Sequence, residues 1–234
     1  MTSYLKFIQQ QWVLLGFGFT AVFAGNFGQS FFVAWFGADI QRSLQISAAE
    51  YGSAYSIGTL LSAFAVLWAG GLIDRVSLRG YTLAVVLGLT TALLLLSSAN
   101  NLWMLMAGFF LLRLFGQSLL PHTGMTTMTR FFEKQRGKAV SVAMSAVPIG
   151  EIVLPLLAVT LIASLGWQQT FFWLAVVIPL LLIPVFLLLL SQAGRLTTGQ
   201  ENASTRAAGS STSEQTVDLP KAAGRREVLQ DYRY

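Results

Sequence analysis

The chain has no cysteine, one histidine and little charge: only 11% of its 234 residues are Asp, Glu, Lys or Arg. Without cysteine there is no disulfide framework, zinc-thiolate site or cysteine nucleophile. A single histidine leaves no metal-ligand cluster, and neither a GxxxxGK[ST] phosphate loop nor a supported Ser-His-Asp grouping occurs, so the sequence implies no enzyme chemistry, metal or cofactor. The charged fraction is about half that of a soluble domain. What is present is apolar: 54% hydrophobic residues, 17 Phe and 6 Trp, with a mean hydropathy of +0.62. Such a composition suits a chain whose solvent is lipid, where apolar side chains face outward as well as inward. The net charge of +5 comes from short basic clusters beside apolar runs, a pattern of membrane orientation rather than of a nucleic-acid groove.

A helix needs ~20 mostly apolar residues to cross ~30 Å of hydrocarbon. Six runs qualify, at about residues 12–36, 48–73, 80–98, 102–128, 139–164 and 170–190, so the expected fold is an all-α membrane protein of six spans. The first run is too long for a cleaved signal peptide and another span follows it closely. Basic residues mark the cytoplasmic loops. Arg75 and Arg79 follow span two, and Arg130, Lys134, Arg136 and Lys138 follow span four, whereas the opposite loops offer Arg42 alone. The expectation is a multi-pass protein of the cell (inner) membrane with both termini in the cytoplasm. Residues 191–234 read as a cytoplasmic tail, with Gln192–Leu219 a polar, disordered linker. The last stretch, AGRREVLQDYRY, carries Val228, Leu229, Tyr232 and Tyr234 in a short amphipathic pattern.

Two charged residues, Arg113 and Glu151, lie deep inside spans, where a charge costs ~3 kcal/mol or more and marks function. Arg113 is ~15 Å into span four from the outer side and Glu151 is ~18 Å into span five from the inner side. Both fall near the midplane, and the spacing predicts that they can meet. Arg113 suits a two-point grip on an anionic substrate and Glu151 a coupling proton; a structural Arg-Glu bridge is the alternative. Gln117 follows Arg113 by four and shares its face. In span one, Asn26, Gln29 and Ser30 are spaced to lie on one side of a helix, turned toward protein or a cavity, as site residues or as interhelical hydrogen-bonding groups. His122 falls about half a turn from Arg113 and reads as a packing or interfacial residue. Pro148, Gly150 and Pro155 around Glu151 predict a bent or weakened helix.

Between spans two and three stands GGLIDRVSLRG, residues 70–80. It resembles the signature loop of the major facilitator superfamily, G-x-L-x-D-R-x-G-R-R, with Gly70, Leu72, Asp74, Arg75 and Arg79 matching and Ser77 and Leu78 departing. RLFGQ at 113–117 is similar to that family's arginine-bearing fourth span, RFFEKQRGKA at 130–139 to its loop before span five, and Gly166-Trp167 with Phe171-Phe172 to its turn before span six. FGQSFF in span one, with the form of the loop before span five, resembles the monocarboxylate and oxalate:formate antiporter branch. The resemblance implies the N-terminal half of a transporter: 3+3 inverted repeats, with span one lining the central pathway and the signature loop latching the halves together in one access state. Otherwise the loop arginines only set topology and reach lipid headgroups. The expected function is secondary active transport of a small solute, an organic anion such as a monocarboxylate, driven by a proton or substrate gradient. Drug or metabolite efflux is the alternative within transport, and a non-transporting scaffold the alternative outside it. The expected partners are the solute, a coupling ion, the bilayer and a missing C-terminal half or a second copy, with no nucleic acid. REVLQDYRY resembles the lead-in to a seventh span, which makes the chain a fragment or a half that pairs with another copy.

Overall fold

The computed structural model describes the backbone of residues 2–210 and the side chains of residues 4–192. The chain divides into a unit Met1–Gly194, which carries everything discussed below, and a unit Arg195–Tyr234. All regular elements among the described residues are helical. Among the described residues six helices are long and apolar enough to cross a membrane: span one Tyr4–Gly28, span two Ala48–Asp74, span three Leu78–Ser97, span four Leu102–Phe131, span five Glu133–Leu165 and span six Trp167–Gln192. The helix of span six runs from Trp167 to Ser210, so the expected disordered linker begins inside it; residues 211–219 of that linker and the amphipathic stretch at Val228–Tyr234 lie outside the described residues.

Local signals set the helix ends. Ser47 and Glu50 form a reciprocal capping box at the start of span two, which satisfies donors that a helix start leaves open. Asn101 caps span four through Met104 N–H, and Ser77 caps span three through Gly80 N–H. Gly166, with φ +79°, makes the sharp turn into span six that a side chain would strain.

Span one differs most from the sequence expectation. The helix stops near Gly25 and passes through a 3-10 turn, Asn26–Gly28, into extended backbone at Gln29. Short helical turns at Ser30–Val33 and Ala34–Phe36 follow, and then a helix Gly37–Leu44. The apolar run continues past the break because Phe32, Val33 and Phe36 are buried in protein. Phe36 stacks on Phe171 of span six at 4.3 Å between ring centroids. Hydropathy does not distinguish a side chain that faces lipid from one that faces protein.

Span four sits at the centre of the packing, against spans one, two and three, while span one also lies against span five. Small residues permit the closest approaches. A side chain at Gly28 would meet Gln117 N at 2.3 Å, one at Gly25 would meet the Pro121 ring at 2.4 Å, and one at Gly124 would meet Gly18 O at 2.9 Å. Spans one and four therefore touch backbone to backbone, as membrane helices do where glycines face each other. The outward faces of spans two and five carry Leu60, Phe64, Leu67, Trp68, Ile152 and Leu156, all exposed.

Candidate functional site

Two irregular segments face each other at the centre. One is the break in span one, and the other is a π-helical stretch, Leu112–Leu119, within span four. A π turn opens the backbone ladder and is found frequently at functional sites. Here it ends where Pro121, which has no N–H to donate, enters the helix. Gly25 and Gly28 let the break lie directly on this stretch, so backbone polar groups and the side chain of Arg113 meet in an otherwise apolar interior.

Arg113 is 7% exposed. Its Nη1 donates to Gly28 O and to Ser30 Oγ, both at 3.2 Å, and its guanidinium lies over the Tyr55 ring, 5.2 Å from the centroid. Tyr55 Oη donates to the same Ser30 Oγ at 3.0 Å, and Phe109 packs edge-on against the ring. Nη1 is thereby tethered, while Nε is buried without a partner. Gln117 Oε1, Thr59 Oγ1 and Asn26 Oδ1 are also buried and unpartnered. A buried polar atom left without a hydrogen bond costs ~1–3 kcal/mol. Gln117 lies one turn on from Arg113 and Thr59 one turn on from Tyr55, whereas Asn26 sits against span five; an open polar atom next to a fixed arginine is a place where a polar guest would be stabilised.

The expected stripe of Asn26, Gln29 and Ser30 does not form. Because the helix breaks within it, the three residues part. Asn26 is buried and its Nδ2 donates to Ala146 O of span five at 2.9 Å. Gln29 is half-buried in the extended turn. Ser30 alone joins Arg113. The expected meeting of Arg113 and Glu151 does not occur either, and Glu151 is exposed on span five. Gly150 abuts Asn26 so closely that no side chain fits between them, and the next residue turns ~100° away. At this level span five packs on span one, which separates the two charges. Gln117 does accompany Arg113, with its backbone against Gly28. Tyr55 and Thr59 were not anticipated, though tyrosine, tyrosine and threonine at 51, 55 and 59 make a polar stripe of period four in span two.

The loop after span two is tied to its surroundings at several points. Asp74 pairs with Arg130 at the end of span four, not with Arg75 or Arg79. Arg79 donates to Leu190 O of span six at 3.3 Å. Gly70 O accepts from His122 Nε2 at 3.2 Å, which gives the sole histidine a partner in the loop itself. Gly71 faces open space, and Leu72 is exposed.

A comparison with curated proteins finds no match. The family model described as Major Facilitator Superfamily matches residues 17–229. That match takes in all but the first helical turns of the six-span unit, including the break, the π-helical stretch and the loop after span two, and the chain belongs to the Major Facilitator Superfamily of membrane transporters.

Proposed function

We propose that the chain forms one half of a secondary transporter that moves a small organic anion, such as a monocarboxylate, by alternating access, with Arg113 as the anion-binding residue. The observation that carries this reading is the state of the guanidinium. Its Nη1 is held by Gly28 O and Ser30 Oγ, and its Nε lies buried and unpartnered. A guanidinium fixed at one nitrogen presents its remaining edge as a fork, which matches the two oxygens of a carboxylate. Tyr55, Thr59 and Gln117 would complete the contacts. Glu151 remains the carboxylate for a coupling proton, acting from the exposed face of span five rather than in a pair with Arg113. The Asp74–Arg130 ion pair is exposed on both sides, so it contributes at most ~1 kcal/mol. That strength suits a fastening that must release in each cycle. The exposed apolar faces of spans two and five would seat a second half.

Binding of a radiolabelled monocarboxylate to the purified 234-residue chain in nanodiscs tests the site without requiring flux. Wild type binds saturably. Arg113→Lys keeps the charge but loses the fork, and weakens binding about tenfold or more, the size of one charge-assisted hydrogen bond of ~1.5–3 kcal/mol. Unchanged affinity in Arg113→Lys and Arg113→Ala would falsify the assignment. Saturable binding of cationic or neutral compounds with none of anions would favour efflux.

A further inference from the structure

At the end of the bundle that carries the basic loops, a cleft of about 790 Å³ opens between the first turns of span one and the connection from span four to span five. Its lining includes Lys6, Arg130 and Lys134 against one carboxylate, Glu133. The apolar part is Phe7, Phe131 and Phe132. The cleft is held in shape from several sides. Backbone at Gln11 leaves helical geometry, with φ −116° and ψ 19°, which kinks the first turns away from the rest of the span. Phe7 packs edge-on against Phe132 with centroids 5.4 Å apart, and Lys138 Nζ lies over the Phe7 ring at 6.0 Å. Arg130 is already engaged by Asp74, so Lys6 and Lys134 supply the positive charge that has no ion-pair partner among the described residues.

We infer that this cleft is a binding site for the phosphate headgroup of an anionic phospholipid. The chemistry is that of a phosphodiester: two ammonium groups for the charge, and the amides of Gln10, Gln11 and Gln135 on the same lining to donate to its oxygens. A soluble phosphate offers the same oxygens, and the position selects the lipid. The apolar run of span four ends near residue 128 and that of span five begins near residue 139, so the lining residues 130–135 lie in the polar connection between two apolar runs, beside the end of the hydrocarbon where headgroups sit. Phe131, 46% exposed, offers apolar surface beside the charges for the glycerol and first methylenes. Basic pockets between spanning helices near the membrane surface take acidic headgroups in this way. The site is separate from the Arg113 cluster and does not depend on what is transported.

The full chain, in nanodiscs of equal parts phosphatidylglycerol and phosphatidylcholine and then released into detergent, is weighed by native mass spectrometry with its retained lipids. Wild type retains phosphatidylglycerol in preference. Lys6→Gln with Lys134→Gln lowers that preference on the order of tenfold, since each basic group near a lipid surface is worth a several-fold change. Lys6→Arg with Lys134→Arg keeps it, which separates loss of charge from loss of fold. Equal retention by wild type and the glutamine variant overturns the site. Displacement of the lipid by millimolar inorganic phosphate, at a concentration too low to alter general screening, overturns the lipid assignment in favour of a soluble anion.

Discussion

Arg113 and Glu151 are both charges in apolar spans, yet the fold treats them differently. Arg113 is nearly enclosed and tied to the span-one break, whereas Glu151 is exposed and span one stands between them. Sites that share no partner and lie well apart act additively, to within ~0.5 kcal/mol. Glu151→Gln is therefore expected to leave monocarboxylate affinity unchanged, and the double variant with Arg113→Lys is expected to show the sum of the single effects. A coupling above ~1 kcal/mol in that double-mutant cycle would mean that the two side chains meet in another conformation. Arg113 was legible in the sequence because an arginine amid leucines and phenylalanines is costly and has to have a partner. Tyr55 was not, because a tyrosine hydroxyl in a span can equally end at the interface. The parting of Asn26, Gln29 and Ser30 was hidden for a different reason: counting 100° per residue assumes a continuous helix.

Among elements, the contact of span one with span four carries the site, because the break and the π-helical stretch can only face each other where neither backbone holds a side chain between them. A methyl group at Gly28 would meet Gln117 N at 2.3 Å and Leu112 O at 2.7 Å. Both are backbone atoms that cannot rotate aside. Gly28→Ala is thus expected to cost ~1–3 kcal/mol by overpacking, lowering the midpoint of thermal unfolding in detergent by several degrees and weakening anion binding with it. Gly71→Ala is the control: nothing lies within 4 Å of its added methyl, so the midpoint should hold or rise slightly. Equal losses at both positions would show that the glycines of this chain serve backbone freedom and not close packing. The six runs of apolar sequence foretold that spans exist, since each must cover a fixed thickness of hydrocarbon. They set span one too far along the chain, at 12–36 instead of Tyr4–Gly28, because Phe32, Val33 and Phe36 are apolar for a buried protein contact and hydropathy counted them as lipid-facing.

For the whole molecule, the proposed orientation rests on where the cations fall. Arg75, Arg79, Arg130, Lys134, Arg136 and Lys138 gather at one end of the bundle, along with the Asp74–Arg130 and Arg79–Leu190 ties, while the opposite end offers Arg42. Retention of basic loops in the cytoplasm would place the first end inside. Because the chain contains no cysteine, a single introduced thiol reports without background. Val76 and Asn100 are exposed at opposite ends, and neither belongs to the Arg113 cluster or the basic cleft. In intact cells, a membrane-impermeant maleimide should label Asn100→Cys at once and Val76→Cys only after permeabilisation. The reverse pattern would invert the topology and would move Lys6 and Lys134 to the outer leaflet. An anionic-lipid site at that end would then have to recruit its ligand from the leaflet facing away from the cytoplasm. Labelling thus fixes the face from which the proposed anion enters and the leaflet that supplies the cleft, two consequences of one charge asymmetry that cannot be changed independently.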